Sequence, residues 1–275
     1  MLDGNAAPKM GFVIGFVYST KNEASRNMGE YLLREHGFQE LSESIFRSGN
    51  IALYRIDSEL VYYNAIENAD LELVCFLSSH SSAQGIGAFT VHPLGNWSGE
   101  NRLGGEPMKL SVAAPGAMFS VLSGLDRIES SLTKTYEATH HGPLLRRPSL
   151  FVELGGNDHV RADRMLAGKV AEAAYNAVEN DPEYRKVVVG IGSMHYPAKF
   201  TRLALLKGYA FGHILPKYAI MNADGSSNIS MLEQACSESS EQPEAAVIEW
   251  KSMNAAMRSI VIRKLDEMGL EYEKV

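Results

Sequence analysis

The residues best suited to chemistry in this chain are its eight histidines: His36, His80, His92, His140, His141, His159, His195 and His213. Imidazole changes charge near neutral pH and is the commonest metal ligand, so several brought together would make a metal centre or an acid–base pair. Five of the eight stand at, or a few residues beyond, the end of a segment that reads as a β-strand. His80 follows residues 71–77, His92 follows 88–91, His140 and His141 follow 132–139, and His195 follows 187–191. In open α/β sheets the carboxyl ends of the strands carry the ligand site. His36 and His159 read as ordinary hydrogen-bonded side chains, and His92 fits either reading. The pair in Thr139-His140-His141-Gly142-Pro143 is more telling. Adjacent side chains of a strand point to opposite faces, so both imidazoles reach one site only if the backbone turns, and Gly142-Pro143 offers that turn.

Familiar catalytic signatures are absent. There is no H-E-x-x-H helix, no Walker A loop and no G-x-S-x-G elbow. Gly190-Ile191-Gly192-Ser193-Met194-His195 follows a strand but lacks the third glycine of a dinucleotide fingerprint. Its backbone amides are expected to bind a phosphate or carboxylate at the start of the next helix. Basic residues gather beside the candidate histidines: Arg146 and Arg147 after the His-His turn, Lys199, Arg202 and Lys207 after His195, and Lys217 after His213. Such groups suit a phosphate-bearing substrate.

The elements that must position these residues follow from composition and pattern. The chain has 275 residues, 45% hydrophobic and 21% charged, with 26 Lys+Arg against 33 Asp+Glu and a net charge of −7. That composition excludes a disordered chain or a fibre, and no apolar run approaches the roughly 20 residues of a membrane-spanning helix. An acidic balance argues against indiscriminate nucleic-acid binding but leaves room for a local basic patch. Cys75 and Cys236 make neither a disulfide framework nor a C-x-x-C pair, and with no secretory signal the expected location is cytoplasmic.

Residues 1–9 are expected to form a flexible tail, and 10–275 one elaborated α/β domain or two intimately packed lobes. The pattern predicts strands at 11–18, 51–56, 60–63, 71–77, 88–92, 132–139, 150–154, 187–191, 209–214 and 246–250. Helices are expected after Asn22, at 115–125, 160–178, 199–206 and 254–268, and from Asn228 to Cys236. Nearly continuous apolar strands alternating with helices predict a mixed, largely parallel sheet flanked by helices. The long Gly-, Ser- and Asn-rich stretch 78–107 marks functional loops.

Whole strings then carry a likeness. HSSAQGIGAFTVHPLGNWSGENRLGGEPMKLSVAAP (80–115), THHGP (139–143), FVELGG (151–156), MHYPAKFT (194–201) and GHILPKYA (212–219) resemble D-aminoacyl-tRNA deacylases of the archaeal and plant type, in the expected order. The departures are small: Leu144 stands where that family commonly has threonine, and Met194 where glycine is more usual. The resemblance implies an enzyme that hydrolyses the ester between a D-amino acid and the terminal ribose of tRNA. It also implies a zinc ion (Zn2+) and an α/β fold similar to peptidyl-tRNA hydrolase, of the phosphorylase-like kind.

On that footing the expected zinc ligands are His80, His140, His141, His195 and Glu153. The expected catalytic groups are His80, His140, His141, His195 and Glu137, the two carboxylates lying on the strands either side of the His-His turn. Gly192 and Ser193 would present backbone amides to an oxyanion or phosphate, and Arg146, Lys199, His213 and Lys217 would hold the acceptor end. Backbone within 78–107 would sense the chirality of the α-carbon. The expected partner is aminoacylated tRNA, with neither DNA nor a membrane, and the protein a monomer or small homo-oligomer. Three alternatives stay open: a metal-free route through histidine and the ribose 2′-hydroxyl, a zinc-dependent hydrolase of small acylated amino acids or peptides, and a non-catalytic tRNA-binding protein.

Overall fold

The computed structural model describes residues 14–80, 87–179 and 183–275. The expected tail, the start of the expected strand 11–18 and residues 81–86 of the Gly-rich stretch lie outside them. The first half forms β1 (Ile14–Ser19), α1 (Glu23–Glu35), β2 (Gln39–Ser42), β3 (Ile45–Ser48), β4 (Ile51–Ile56), β5 (Leu73–Ser78), β6 (Ala88–His92), β7 (Gly95–Asn96), β8 (Lys109–Leu110) and α2 (Pro115–Asp126). Then come β9 (Thr133–Tyr136), β10 (Ser149–Gly155), α3 (Asp158–Ala162), α4 (Arg164–Glu179), β11 (Lys186–Ile191) and α5 (Ala198–Lys207). The chain ends with β12 (Tyr209–Leu215), α6 (Lys217–Ile220), α7 (Met231–Ser237), β13 (Ala245–Ile248), α8 (Ala255–Met268) and β14 (Tyr272–Lys274).

Eight strands make one mixed sheet in the order β2-β3-β4-β1-β5-β10-β6-β9, and four make a parallel sheet in the order β12-β11-β13-β14. β4, β1, β5 and β10 run parallel, and so do β6 and β9, but β10 and β6 pair antiparallel. The alternation of side chains then sorts the large sheet into two faces. Phe16, Cys75, Leu77, Phe89, Val91, Leu150 and Val152 meet α1, α2 and α4 in one core, which continues into the second sheet through Val188, Phe211 and Val247. Val17, Val74, Phe76 and Phe151 point the other way, under Leu60, Ile66, Leu94 and Leu145. No helix among the described residues is long and apolar enough to cross a membrane.

Two expectations change, and one hairpin was not expected at all. Residues 60–63 are not a strand: Leu60–Tyr62 is a 3-10 turn, with Tyr63 N bonded to Leu60 O at 3.0 Å. A short apolar run cannot by itself separate the two. The single helix 160–178 is two, because Asp163 is extended and its carboxylate accepts from the amides of Met165 and Leu166, capping a fresh start. The β2–β3 hairpin gave no pattern to read, since all four residues of β2 are exposed.

The orientation of β6 matters most. Its C-terminal end lies opposite that of β5, so His80 and His92 do not share one carboxyl edge. They meet over the face of the sheet opposite α1, α2 and α4 instead.

Candidate functional site

That face changes character along its strands. Phe76 and Phe151 stack at 4.7 Å, and His92, the cross-strand partner of Phe151, stacks on it at 5.3 Å. Two residues further, Phe151 gives way to Glu153, paired with Ser78 on one side and Thr90 on the other. Glu137 continues the ladder beyond β9, its amide bonded to Val91 O at 3.0 Å. The next two amides cross to the second sheet, Ala138 N to His195 O at 2.8 Å and Thr139 N to Ile214 O at 3.1 Å. The segment 137–141 is therefore the seam between the sheets, and it delivers His140 and His141 to the Glu153 face.

The backbone turn that both imidazoles need occurs at His141 itself, whose φ is +47°. A left-handed non-glycine residue costs about 1 kcal/mol or more, and persists only where its surroundings over-determine it. Here they do. Gly142 N is bonded to Leu103 O, and a Cβ on Gly142 would overlap the Gly104-Gly105 backbone, so the HHGP and LGGEP strings fit only each other.

His80, Glu137, His140 and His195 each bring a ligand atom within 4.8 Å of the others, and His92 forms further sets with His140 and His141 and with Glu137 and Glu153. Glu137 Oε2 lies 2.8 Å from His195 Nε2, 3.4 Å from His80 Nδ1 and 3.5 Å from His140 Nε2. Glu153 Oε2 lies 3.6 Å from His80 Nδ1 and 3.8 Å from His92 Nε2. These are ion-pair approaches, and both Glu137 oxygens and Glu153 Oε2 are buried with no hydrogen-bond partner of good geometry. Glu137 thus groups with the expected ligands His80, His140 and His195, His141 groups with His92 and His140, and Glu153 groups with His92 and Glu137.

Main-chain carbonyls fix the tautomers. His92 Nδ1 faces Pro93 O at 3.1 Å, His140 Nδ1 faces Ala138 O at 2.8 Å, and His141 Nδ1 faces Gly142 O at 2.8 Å. A carbonyl only accepts, so in each neutral ring Nδ1 carries the proton and Nε2 keeps its lone pair. Burial opposes charge on His80 and His92, but contact with Glu153 and the charge of Glu137 outweigh it and raise both pKa values. Burial, then repulsion from His92, His141 and His195, holds His140 far below its ordinary value. Burial and His92 bring His141 down to about 4. Burial also opposes charge on Glu153, but His80 and His92 prevail and keep its carboxyl well below the usual range.

Other expected residues stand elsewhere. His213 is a correction: it is wholly buried, Nε2–H donating to Ser111 O at 2.9 Å and Nδ1 facing the Thr139 hydroxyl at 3.1 Å, so it touches no substrate. Gly192 is another, since its amide is bonded to Leu215 O at 2.9 Å. The Ser193 side chain is buried, its hydroxyl donating to Met194 O and its carbonyl accepting from Lys217 N. Arg146 is exposed, Lys217 half-buried, and Lys199 exposed at 3.5 Å from Glu249. Arg147 is structural, its guanidinium bonded to the carbonyls of Glu67 and Leu71. His36 behaves as expected, bonded to Glu172 at 2.8 Å, and His159 is exposed on α3. The sequence left His92 unassigned and passed over Tyr196, whose ring lies 5.7 Å from His80 and 5.3 Å from His195. A cavity of ≈ 310 Å³ opens beside His140 and His141, walled in part by Trp97, Tyr218 and Met221.

Comparison with known proteins places this arrangement. A family model described as D-aminoacyl-tRNA deacylase matches residues 67–273, a span that holds every residue of the cluster. Proteins named D-aminoacyl-tRNA deacylase are similar along nearly the whole chain. The one from Thermococcus kodakarensis is 33% identical over 93% of this chain and 98% of its own. That from Pyrococcus horikoshii is 33% identical over 94% and 98%, and that from Ignicoccus hospitalis 34% over 93% and 96%. The crystal structure of a conserved protein of unknown function superposes with a TM-score of 0.86 at 30% identity, covering 96% of this chain and 95% of that one. With the match spanning both sheets and the seam between them, the chain belongs to the D-aminoacyl-tRNA deacylase family.

Proposed function

We propose that this protein hydrolyses the ester bond of D-aminoacyl-tRNA to free D-amino acid and tRNA, on the sheet face around Glu137 that lies opposite α1, α2 and α4. The observation that carries the reading is the pinned imidazoles. Three histidines give Nδ1–H to backbone carbonyls, and two of them, His92 and His140, turn Nε2 toward buried carboxylates whose oxygens lack a hydrogen-bond partner. Metal-ligating histidines are oriented in this way, and an unpartnered buried carboxylate is unfavourable unless a cation completes it.

The donor set fits zinc. Ligand atoms around a tetrahedral ion at about 2.1 Å stand roughly 3.4 Å apart, and Glu137 Oε2 lies 2.8–3.5 Å from the three imidazole nitrogens. His80, Glu137, His140 and His195 would hold the ion. When bound, zinc supplies a water of lowered pKa and a polarised carbonyl. The remaining chemistry belongs to the chain. His141, neutral and outside that set, accepts a proton at Nε2 from the attacking water and returns it to the ribose oxygen as the acyl–oxygen bond breaks. Glu153 holds His80 and His92 in place by charge. Arg146, Lys199 and Lys217 attract the phosphates of the acceptor end, which reconciles an RNA substrate with a net charge of −7. The setting of such an activity is the cytoplasm, where charged tRNA is used.

The test is deacylation of D-Tyr-tRNA and L-Tyr-tRNA by the full chain, with and without chelator and with metal analysis. The expected result is hydrolysis of the D-ester alone, lost with the metal and restored by zinc. Full turnover in metal-free protein would overturn zinc and favour the histidine and 2′-hydroxyl route. Turnover of N-acyl amino acids without tRNA, or tRNA binding without deacylation, would overturn the substrate.

A further inference from the structure

Hydrolysis puts negative charge on the ester carbonyl oxygen, and a preorganised donor must meet it. The backbone amide that the sequence offers for this, Gly192 N–H, is occupied by Leu215 O. Nine buried side-chain polar atoms lack a partner among the described residues, and six gather at this site: Thr90 Oγ1, His92 Nε2, both Glu137 oxygens, Glu153 Oε2 and the Tyr196 hydroxyl. Such atoms are rare in folded proteins and each needs a reason. Ionised carboxylate oxygens only accept, and His92 Nε2 faces Glu153 Oε2 at 3.8 Å, so a proton held there serves that carboxylate. The donors left are Thr90 and Tyr196. Thr90 is wholly buried within β6, opposite Glu153 and out of reach of a substrate. Tyr196 is only half-buried as a residue, and its hydroxyl is covered. Its ring packs beside His80 and His195, at 5.7 and 5.3 Å.

We propose that Tyr196 is a catalytic residue whose hydroxyl donates a hydrogen bond to the carbonyl oxygen of the aminoacyl ester as that oxygen becomes an oxyanion. The proposal rests on the hydrolase reading above. Water oxygen bonds to the carbonyl carbon and the π pair moves onto the carbonyl oxygen, where Tyr196 meets it. The pair then returns, the carbon–ribose oxygen bond breaks, and the ribose oxygen takes the proton lost by water. Tyr196 keeps its own proton throughout, so no co-reactant is needed.

The experiment is Tyr196→Phe in the full chain, which keeps the ring and removes one oxygen. The expected result is a kcat for D-Tyr-tRNA lower by about 10²- to 10³-fold, with KM, bound metal, melting temperature and the shape of the pH–rate profile unchanged. Fluorotyrosine at position 196 should keep kcat close to the natural value, and this decides the matter if the Phe variant does not fold. An unchanged kcat in Tyr196→Phe overturns the proposal. So does a loss that tracks metal content, which means positioning, or one that removes a limb of the pH profile, which means proton transfer. No deacylation by the unaltered protein would instead sink the hydrolase reading itself.

Discussion

His92 and His213 are both 0% exposed, yet the regions around them differ in kind. His213 sits where β12 meets the seam, one nitrogen bonded to Ser111 O and the other facing a Thr139 hydroxyl that itself accepts from Ile214 N. Nothing in that ring is left over, and burial lowers its pKa to about 4. His92 has one nitrogen on Pro93 O and the other unpaired beside Glu153. The first arrangement holds two sheets together. The second sacrifices stability for a site. The state of the second nitrogen separates a buried structural histidine from a buried functional one.

The largest effect should come from removing the charge on the His92 side. Glu153→Gln is expected to lower D-Tyr-tRNA deacylation by about 10³-fold, and to lower the melting temperature of metal-free protein, because the carboxylate that His80 and His92 hold ionised is lost. Single-turnover kinetics beside a thermal melt check both halves.

On the other side the order reverses. His213→Ala should destabilise the fold by about 3 kcal/mol, since it strands buried hydrogen-bond partners, while activity per folded molecule changes less than about threefold. Denaturant titration with active-site normalisation reads this out. The same residue predicts a pH limb. Its folded value of about 4 lies below an unfolded value near 6.5, so the native state binds fewer protons between them. Its contribution is complete above about pH 6.5 and declines toward pH 4, by about 3 kcal/mol in all. His213→Gln should flatten that part of the acid limb.

The smallest effect is expected outside both regions. Arg146→Ala should raise KM a few-fold, leave kcat unchanged and reduce the salt slope of tRNA binding by about one. A kcat effect would move Arg146 from the approach path into the site.

Much of this was legible in the sequence. Strand ends pointed to His80, His140, His141 and His195, and the HHGP turn announced that both imidazoles would face one way. The twin carboxylates were visible because Glu137 and Glu153 interrupt apolar strands. What stayed hidden depends on register. His92 becomes a site residue only because β6 runs against β10 and sets His92 beside Phe151 and Thr90 beside Glu153, a pairing no local pattern encodes. For the same reason the expected carboxyl edge became a sheet face. Gly192 and Ser193 looked like a ligand turn, and His213 like a substrate contact, because sequence does not show which amides and ring nitrogens are already bonded. Asp163 divides a helix that periodicity drew as one, since its capping carboxylate competes with the apolar stripe on either side.

The most direct test of the account compares Glu137→Gln with His213→Gln at equal folded concentration, following deacylation of D-Tyr-tRNA and L-Tyr-tRNA beside the unaltered protein. The cluster reading predicts that the unaltered protein clears the D-ester and spares the L-ester. Glu137→Gln should lose at least about 10³-fold, and His213→Gln should keep most of its rate. Deacylation by Glu137→Gln at close to the unaltered rate would contradict it.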